Sequence, residues 1–567
     1  MKAMNGKRIT AILAAVMLLL ACPGSGTAEE TTGVAPDRIA GWYVCFEKTD
    51  GVNEMCLRRG ILTLEDGIIT QINEYTESEP DTFYLDPACV ILPGLIDLHS
   101  HIDYNSMQLW ISNEAGSQWD NRFEWRASED YIISLKDKSN DLAAHWADEL
   151  RPGVCLGDLI LYFTELQAAA GGTILIQGAN NTDLDYDAAD SHEKIRLIRS
   201  TALADDLGRE NGLPVVSVTQ IYLPDAEMTA EDPLTYLPPL DTTGWNTTLA
   251  NNKVNGRPWL EELLDGIGSK TVQGWLIHLA EGRAGYLATA ADAYSRLEFE
   301  TFRQDITEGI AQGRFTAEDV RGAHIALIHA CAVNLSNPED AAFLKEYGIG
   351  LIWSPVSNLL LYSDTPDFFR YMDDPELRIA LGSDWSPSGS KNVWDEARFA
   401  YDLIDILDRE TDTTRENLLK ACTIVPAEIL GENRLGNIRE GAFADLFILR
   451  TDTGIEGDPA AVLNAFVTGN GRNTEATLSR GRVLYGTEEI IHALADDETA
   501  GTYGRYAEED DMLFLIPALF ADQTMEELYK QYESILAEAE VEMSRVRDTE
   551  DPLYWETMEE VRETLRR

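Results

Sequence analysis

The sequence predicts an α/β fold: a TIM-like (β/α)8 barrel, joined to a small composite β-sandwich drawn from both of its flanks and followed by a C-terminal helical extension. Three observations lead there. From residue 90 to residue 381 short continuous apolar runs alternate with amphipathic stretches, the pattern of strands buried on both faces of a parallel sheet. Before that interval, from 39 to 88, short β-type runs are broken by Gly and Asp turns, as in a small antiparallel sheet. Around 436–449 and through 478–484 that pattern returns, so the sheet begun before the barrel is expected to be completed after it.

The composition agrees with a packed protein. Of 567 residues 44% are hydrophobic and 12 are Trp, while charged residues are held to 25%. With 98 acidic residues against 45 basic ones the net charge is −53, which repels a polyanion and excludes nucleic acid as a partner.

Taken in order, residues 1–21 read as a lipoprotein signal peptide. Lys2, Lys7 and Arg8 precede an apolar run at 11–20 that is too short to span a bilayer. The run ends Leu19-Leu20-Ala21-Cys22, which resembles the bacterial lipobox, so Cys22 is the expected lipidation site. The expectation is an exported bacterial lipoprotein of the cell envelope, held to the membrane by its N-terminal lipid because no basic cluster follows the cleavage site. Residues 22–38 are small and polar and read as a tether. In 39–88, the first part of the sandwich, Cys45 and Cys56 flank a turn-rich stretch, and an exported protein makes a disulfide between them the preferred pairing. Cys155, Cys331 and Cys422 sit in apolar contexts and read as buried thiols.

The barrel is assigned to 89–430. Its expected strands are the runs 90–95, 173–176, 215–218, 275–277, 325–328, 349–353 and 377–381. An eighth, counted as the fourth in order, is expected between 221 and 270, where the chain reads mostly as loop. A second irregular insertion, 104–151, contains Trp110, Trp119, Trp125 and Trp146; long loops after barrel strands usually build the mouth of a site. Residues 431–486 are the second part of the sandwich. Residues 487–567 form an acidic helical extension, with the clearest amphipathic run at 525–546 and solvated outer helices as the expectation.

The chemistry lies at the ends of the apolar runs. In Ile91-Leu92-Pro93-Gly94-Leu95-Ile96-Asp97-Leu98-His99-Ser100-His101 two imidazoles separated by one residue point to the same face and can grip one ion. His278, with Glu281 three residues on, follows 275–277; His329 follows 325–328; Asp384 follows 377–381. Each stands where a parallel strand gives way to its loop, the catalytic end of a β/α barrel. His145, His192 and His492 have no such placement, and His324 lies five residues from His329, on the opposite strand face.

This constellation resembles the amidohydrolase superfamily, in the branch of cytosine, guanine and S-adenosylhomocysteine deaminases and triazine hydrolases. Pro93-Gly94-Leu95-Ile96-Asp97 before His99 and His101, the segment Trp353-Ser354-Pro355-Val356-Ser357-Asn358-Leu359-Leu360-Leu361-Tyr362, and Pro426-Ala427-Glu428-Ile429-Leu430-Gly431 carry the likeness, over roughly 58–485. The resemblance implies one divalent metal on His99, His101, His278 and Asp384, commonly zinc; three imidazoles and a carboxylate suit zinc or iron(II). It implies that Asp384 also takes the proton of the attacking water, that Glu281 shuttles a proton to the substrate nitrogen, and that His329 polarises the attacked centre. Members with two metals bridge them by a carboxylated lysine ending the fourth strand, and neither Lys253 nor Lys270 ends an apolar run. The function implied is metal-dependent hydrolysis of a non-peptide carbon–nitrogen bond in a small molecule, by deamination of a heterocycle or opening of a cyclic amide. A peptidase-like or lactone-cleaving hydrolase and a non-catalytic surface-anchored binding protein are the competing readings. Substrate identity and homo-oligomerisation stay open.

Overall fold

The computed structural model describes residues 37–107, 109–110, 119–136, 139, 142, 145–177, 195, 197–201, 215–218, 253–254, 257–287, 290–452, 454–494, 503–505 and 512–538. The expected signal segment, Cys22, the tether up to residue 36, His192 and the tail from 539 lie outside them. Among the described residues no helix is long and apolar enough to cross a membrane.

Among the described residues eight parallel strands build the barrel: Leu95–Asp97, Thr173–Ile176, Arg199–Ser200, Val215–Val218, Gly274–Leu279, Ile325–His329, Gly350–Trp353 and Ile379–Leu381. The first three pair in one arc and the other five in a second. The arcs join where Ser100 bridges Asp384, with the Asp384 N–H donating to the His99 carbonyl at 2.7 Å. All seven expected runs are strands, but the eighth is not where the sequence placed it. It is Arg199–Ser200, third in order, and Val215–Val218 is therefore the fourth strand, pairing over its whole length with Gly274–Leu279. The fourth-strand expectation for 221–270 is thus corrected: its described part is a short hairpin, Lys253–Val254 with Arg257–Pro258, and the helix Trp259–Ser269. Arg199–Ser200 was invisible to an apolar-run search because one of its two residues is an arginine. That guanidinium can be buried because Asp445 Oδ2 sits 2.8 Å from its Nε and the Phe443 ring lies 3.9 Å below it.

The run at 90–95 also divides. Cys89–Pro93 belongs to the neighbouring sheet, and only Leu95–Asp97 enters the barrel. Gly94 makes the crossing, since a Cβ there would lie 2.4 Å from Ile174.

The flanking domain is composite, as expected, and among the described residues its strands pair into one continuous ten-stranded sheet. Asp37–Thr49, Val52–Glu65, Ile68–Glu74, Phe83–Tyr84 and Cys89–Pro93 come from the N-terminal flank, and Leu446–Arg450, Thr474–Ser479 and Arg482–Thr487 from the other. The seam is the antiparallel pairing of Cys89–Pro93 with Leu446–Arg450. Met512–Leu515 and Tyr503–Gly504 extend the sheet, so the segment after 487 is not purely helical. Its helix Met525–Glu538 is not simply solvated either, because Tyr532 stacks on Phe163 with ring centroids 4.5 Å apart. This contact completes the enclosure of Leu156–Ala170, a helix buried along all its residues between sheet and tail. Most of its residues are apolar, as burial on every face requires, and the two buried carboxylates are partnered: Asp158 accepts from the Cys155 N–H and Glu165 from the N–H groups of Leu197 and Ile198.

Cys45 and Cys56 face each other in register, as the hairpin reading required. The expected disulfide is corrected: both thiols are free. Cys45 Sγ points to the Cys56 carbonyl at 3.8 Å while Cys56 Sγ turns to the Glu54 carbonyl at 3.9 Å, so the two sulfurs take separate backbone partners. Cys155, Cys331 and Cys422 are buried thiols, as expected.

Candidate metal centre and active site

His99 and His101 follow the first barrel strand, His278 is the penultimate residue of the fifth, His329 ends the sixth, and Asp384 lies three residues past the eighth. The close packing of first and eighth strands depends on Gly382, where a Cβ would lie 2.4 Å from the His99 Cβ. Asp97 locks the same junction: its carboxylate accepts from the His99 N–H and from the N–H and hydroxyl of Ser383. The backbone at Ala280, His329, Ala330 and Asp384 has φ between 47° and 61°, a costly left-handed conformation for residues with a Cβ. Such strain is tolerated where surrounding contacts over-determine it.

Four donor atoms converge. His99 Nε2 lies 3.1 Å from His278 Nε2 and 3.2 Å from Asp384 Oδ1, and His101 Nε2 lies 3.6 Å from the same oxygen. Tetrahedral coordination at about 2.0–2.1 Å places neighbouring donors roughly 3.3–3.4 Å apart, so these separations fit one small divalent ion. The chemistry of the donors fits as well. Burial lowers His278 well below the ordinary imidazole range and His101 to about 4, so both rings are neutral near pH 7, as ligation requires. Burial opposes charge on Asp384 too, but the imidazoles of His99, His329 and His101 outweigh it and hold the carboxyl well below the usual range. Behind His99, the Ser354 hydroxyl meets Nδ1 at 2.7 Å and orients the ring.

His329 and Glu281 stand beside this set. The Asn358 amide nitrogen lies 3.3 Å from His329 Nδ1 and, in this amide assignment, donates to it, which leaves the ring proton on Nε2. That Nε2 faces Glu281 Oε2 at 3.7 Å and Asp384 Oδ2 at 3.8 Å. Glu281 is only 4% exposed. Burial alone would push its carboxyl up, yet His329, Arg122 and the Tyr362 hydroxyl overcome that and lower it.

All six residues singled out from the sequence therefore meet at one end of the barrel. The others do not: His324 bonds the Ile429 carbonyl instead, and His145 and His492 are exposed beside Asp148 and Glu488. Sequence reasoning missed Arg122, Trp125, Ser354, Asn358 and Tyr362. Three of these lie in the quoted 353–362 segment, whose pattern was legible without the role of each side chain. Arg122 and Trp125 lie in the Trp-rich insertion, where nothing in the spacing marks them.

Comparison with known proteins bears on this geometry. Residues 273–484 match the model of the Amidohydrolase family. A 5′-deoxyadenosine deaminase of Methanosarcina mazei is 22% identical over 403 residues, 69% of this chain and 80% of the relative. A 5-methylthioadenosine/S-adenosylhomocysteine deaminase of Halothermothrix orenii is 26% identical over 157 residues, 27% of this chain and 36% of that relative. Among solved structures, an atrazine chlorohydrolase mutant from Arthrobacter aurescens TC1, complexed with zinc and atraton, aligns with TM-score 0.52 at 14% identity over 88% of this chain and 99% of its own. At that identity the structural likeness speaks for the fold.

Proposed function

We propose that this chain, whose residues 273–484 match the Amidohydrolase family, is a metal-dependent hydrolase of non-peptide carbon–nitrogen bonds that deaminates a small heterocycle. The observation that carries the proposal is the meeting of two overlapping donor sets at ion-binding separations, His99 with His101 and His278 and His99 with His329 and Asp384, with a buried, ionised Glu281 beside them. A divalent metal on those four residues, zinc or iron(II) by the donor set, supplies Lewis acidity that makes water a nucleophile near neutral pH.

The chain's own groups do the rest. Asp384, kept ionised, accepts the proton of the attacking water and orients it. His329 offers its Nε2–H to the charge that builds on the attacked centre. Glu281, ionised at rest, takes up the water's second proton and passes it to the ring nitrogen, Asp384 returns the first to the exocyclic amine, and the carbon–nitrogen bond breaks as the carbonyl forms and ammonia leaves. One metal suffices. Val215–Val218 is followed by Thr219 and Gln220, so the fourth strand ends without a lysine to carboxylate, and Lys270 is instead paired with Asp319 at 2.9 Å.

The test is ammonia release from a panel of purine nucleosides including 5′-deoxyadenosine, pyrimidines and triazines, set against N-acyl amino acids and lactones. Release of ammonia from at least one heterocycle is the expected result, and turnover confined to the acyl compounds overturns it. The intact ligand set and Glu281 leave the non-catalytic binding reading without support. Export and acylation at Cys22 complete the proposal, with the membrane as partner through the lipid. Fatty-acid labelling in a bacterial host should be lost in Cys22→Ala, and labelling that survives the substitution refutes the anchor.

A further inference from the structure

We propose that Tyr362, together with Arg122 and Trp125 of the Trp-rich insertion, positions Glu281 so that its Oε1 is held as a fixed acceptor and its Oε2 is the oxygen that carries the proton. The inference rests on the role given to Glu281 above and assigns that role to one atom.

The hydrogen-bond direction decides it. The indole of Trp125 can only donate, and its Nε1 lies 2.9 Å from the Tyr362 hydroxyl oxygen. That hydroxyl oxygen, already accepting, sends its own proton to Glu281 Oε1 at 2.6 Å. The chain therefore runs one way, from Trp125 through Tyr362 to Glu281, and each bond polarises the next. Oε1 is occupied as an acceptor and is not the site of the mobile proton. Oε2 is left facing Arg122 Nε at 3.6 Å and His329 Nε2 at 3.7 Å, and that same imidazole nitrogen lies 3.8 Å from Asp384 Oδ2.

The insertion is built to hold this arrangement. It lies directly on the Glu281 loop: the Arg122 N–H approaches the Glu281 carbonyl at 3.4 Å, the Arg283 N–H donates to the Asp120 carbonyl at 2.8 Å, and Asn121 bridges Gly282. Gly282 permits the approach, because a Cβ there would meet the Asp120 carbonyl at 2.6 Å. Tyr362 is fully buried and Arg122 and Trp125 nearly so, so water does not compete for these contacts. Packing alone would require only the rings; the polar chain ending on one carboxylate oxygen is additional.

The experiment uses the full chain and the panel compound that wild type turns over fastest. Tyr362→Phe removes one oxygen and keeps the ring. It should lower kcat about ten- to a hundredfold with KM within about twofold and metal content unchanged. The same substitution placed on Glu281→Gln should cost nothing further, because the carboxylate it positions is already gone. Trp125→Phe, which removes the donor to Tyr362, should show a smaller loss with the same non-additivity and serves if Tyr362→Phe does not fold. Wild-type kcat in both variants, a loss that adds to that of Glu281→Gln, or metal lost together with activity in both, overturns the proposal. A fully active Glu281→Gln, or a wild type inert on the whole panel, instead overturns the functional reading beneath it.

Discussion

Glu281→Gln is expected to keep its metal and lose about a hundred- to ten-thousandfold in kcat, the range typical of removing a positioned general acid–base. The amide matches the carboxylate in shape, and its oxygen can still accept from Tyr362. Its NH2 group would then face Arg122 and the Nε2–H of His329, where it can neither accept nor carry a proton. None of His99, His101, His278 and Asp384 is altered, so metal analysis separates loss of chemistry from loss of the centre. Turnover equal to wild type, measured as ammonia release per bound metal, would remove Glu281 from the mechanism.

The second large effect is expected at the ligands. His278→Ala deletes a donor that lies 3.1 Å from His99 Nε2 and leaves two imidazoles and one carboxylate. Wild-type protein should hold close to one metal per chain. The variant should lose most of it on dialysis against a chelator, and its turnover should fall in proportion, while its far-UV circular dichroism stays that of the wild type. Two tightly held metals in the wild type would overturn the mononuclear assignment, and full retention by the variant would remove His278 from the ligand set.

The barrel was legible where strands are long and apolar. Ile325–His329, apolar up to its terminal histidine, and Gly350–Trp353 are enclosed on both faces, and a continuous apolar run signals that directly. Arg199–Ser200 carries no such signal: it is two residues long and its arginine is neutralised by Asp445, almost 250 positions away. The ligands were legible for a related reason, since a loop that begins at a strand end starts from a fixed place, and successive strand ends share one rim.

By itself the sequence determined the barrel class, the composite sheet and the six residues of the rim, because strand period and strand order are local properties that translate into position. Only the tertiary structure decided that the flanking sheet is continuous, that the thiols of Cys45 and Cys56 approach different backbone carbonyls, and that Arg122 reaches Glu281 directly and Trp125 through Tyr362. Those outcomes depend on the direction a side chain takes and on contacts across more than a hundred residues. No local pattern encodes them, since a hydrogen bond is specified by two partners and their angle, and the chain shows each partner without the other.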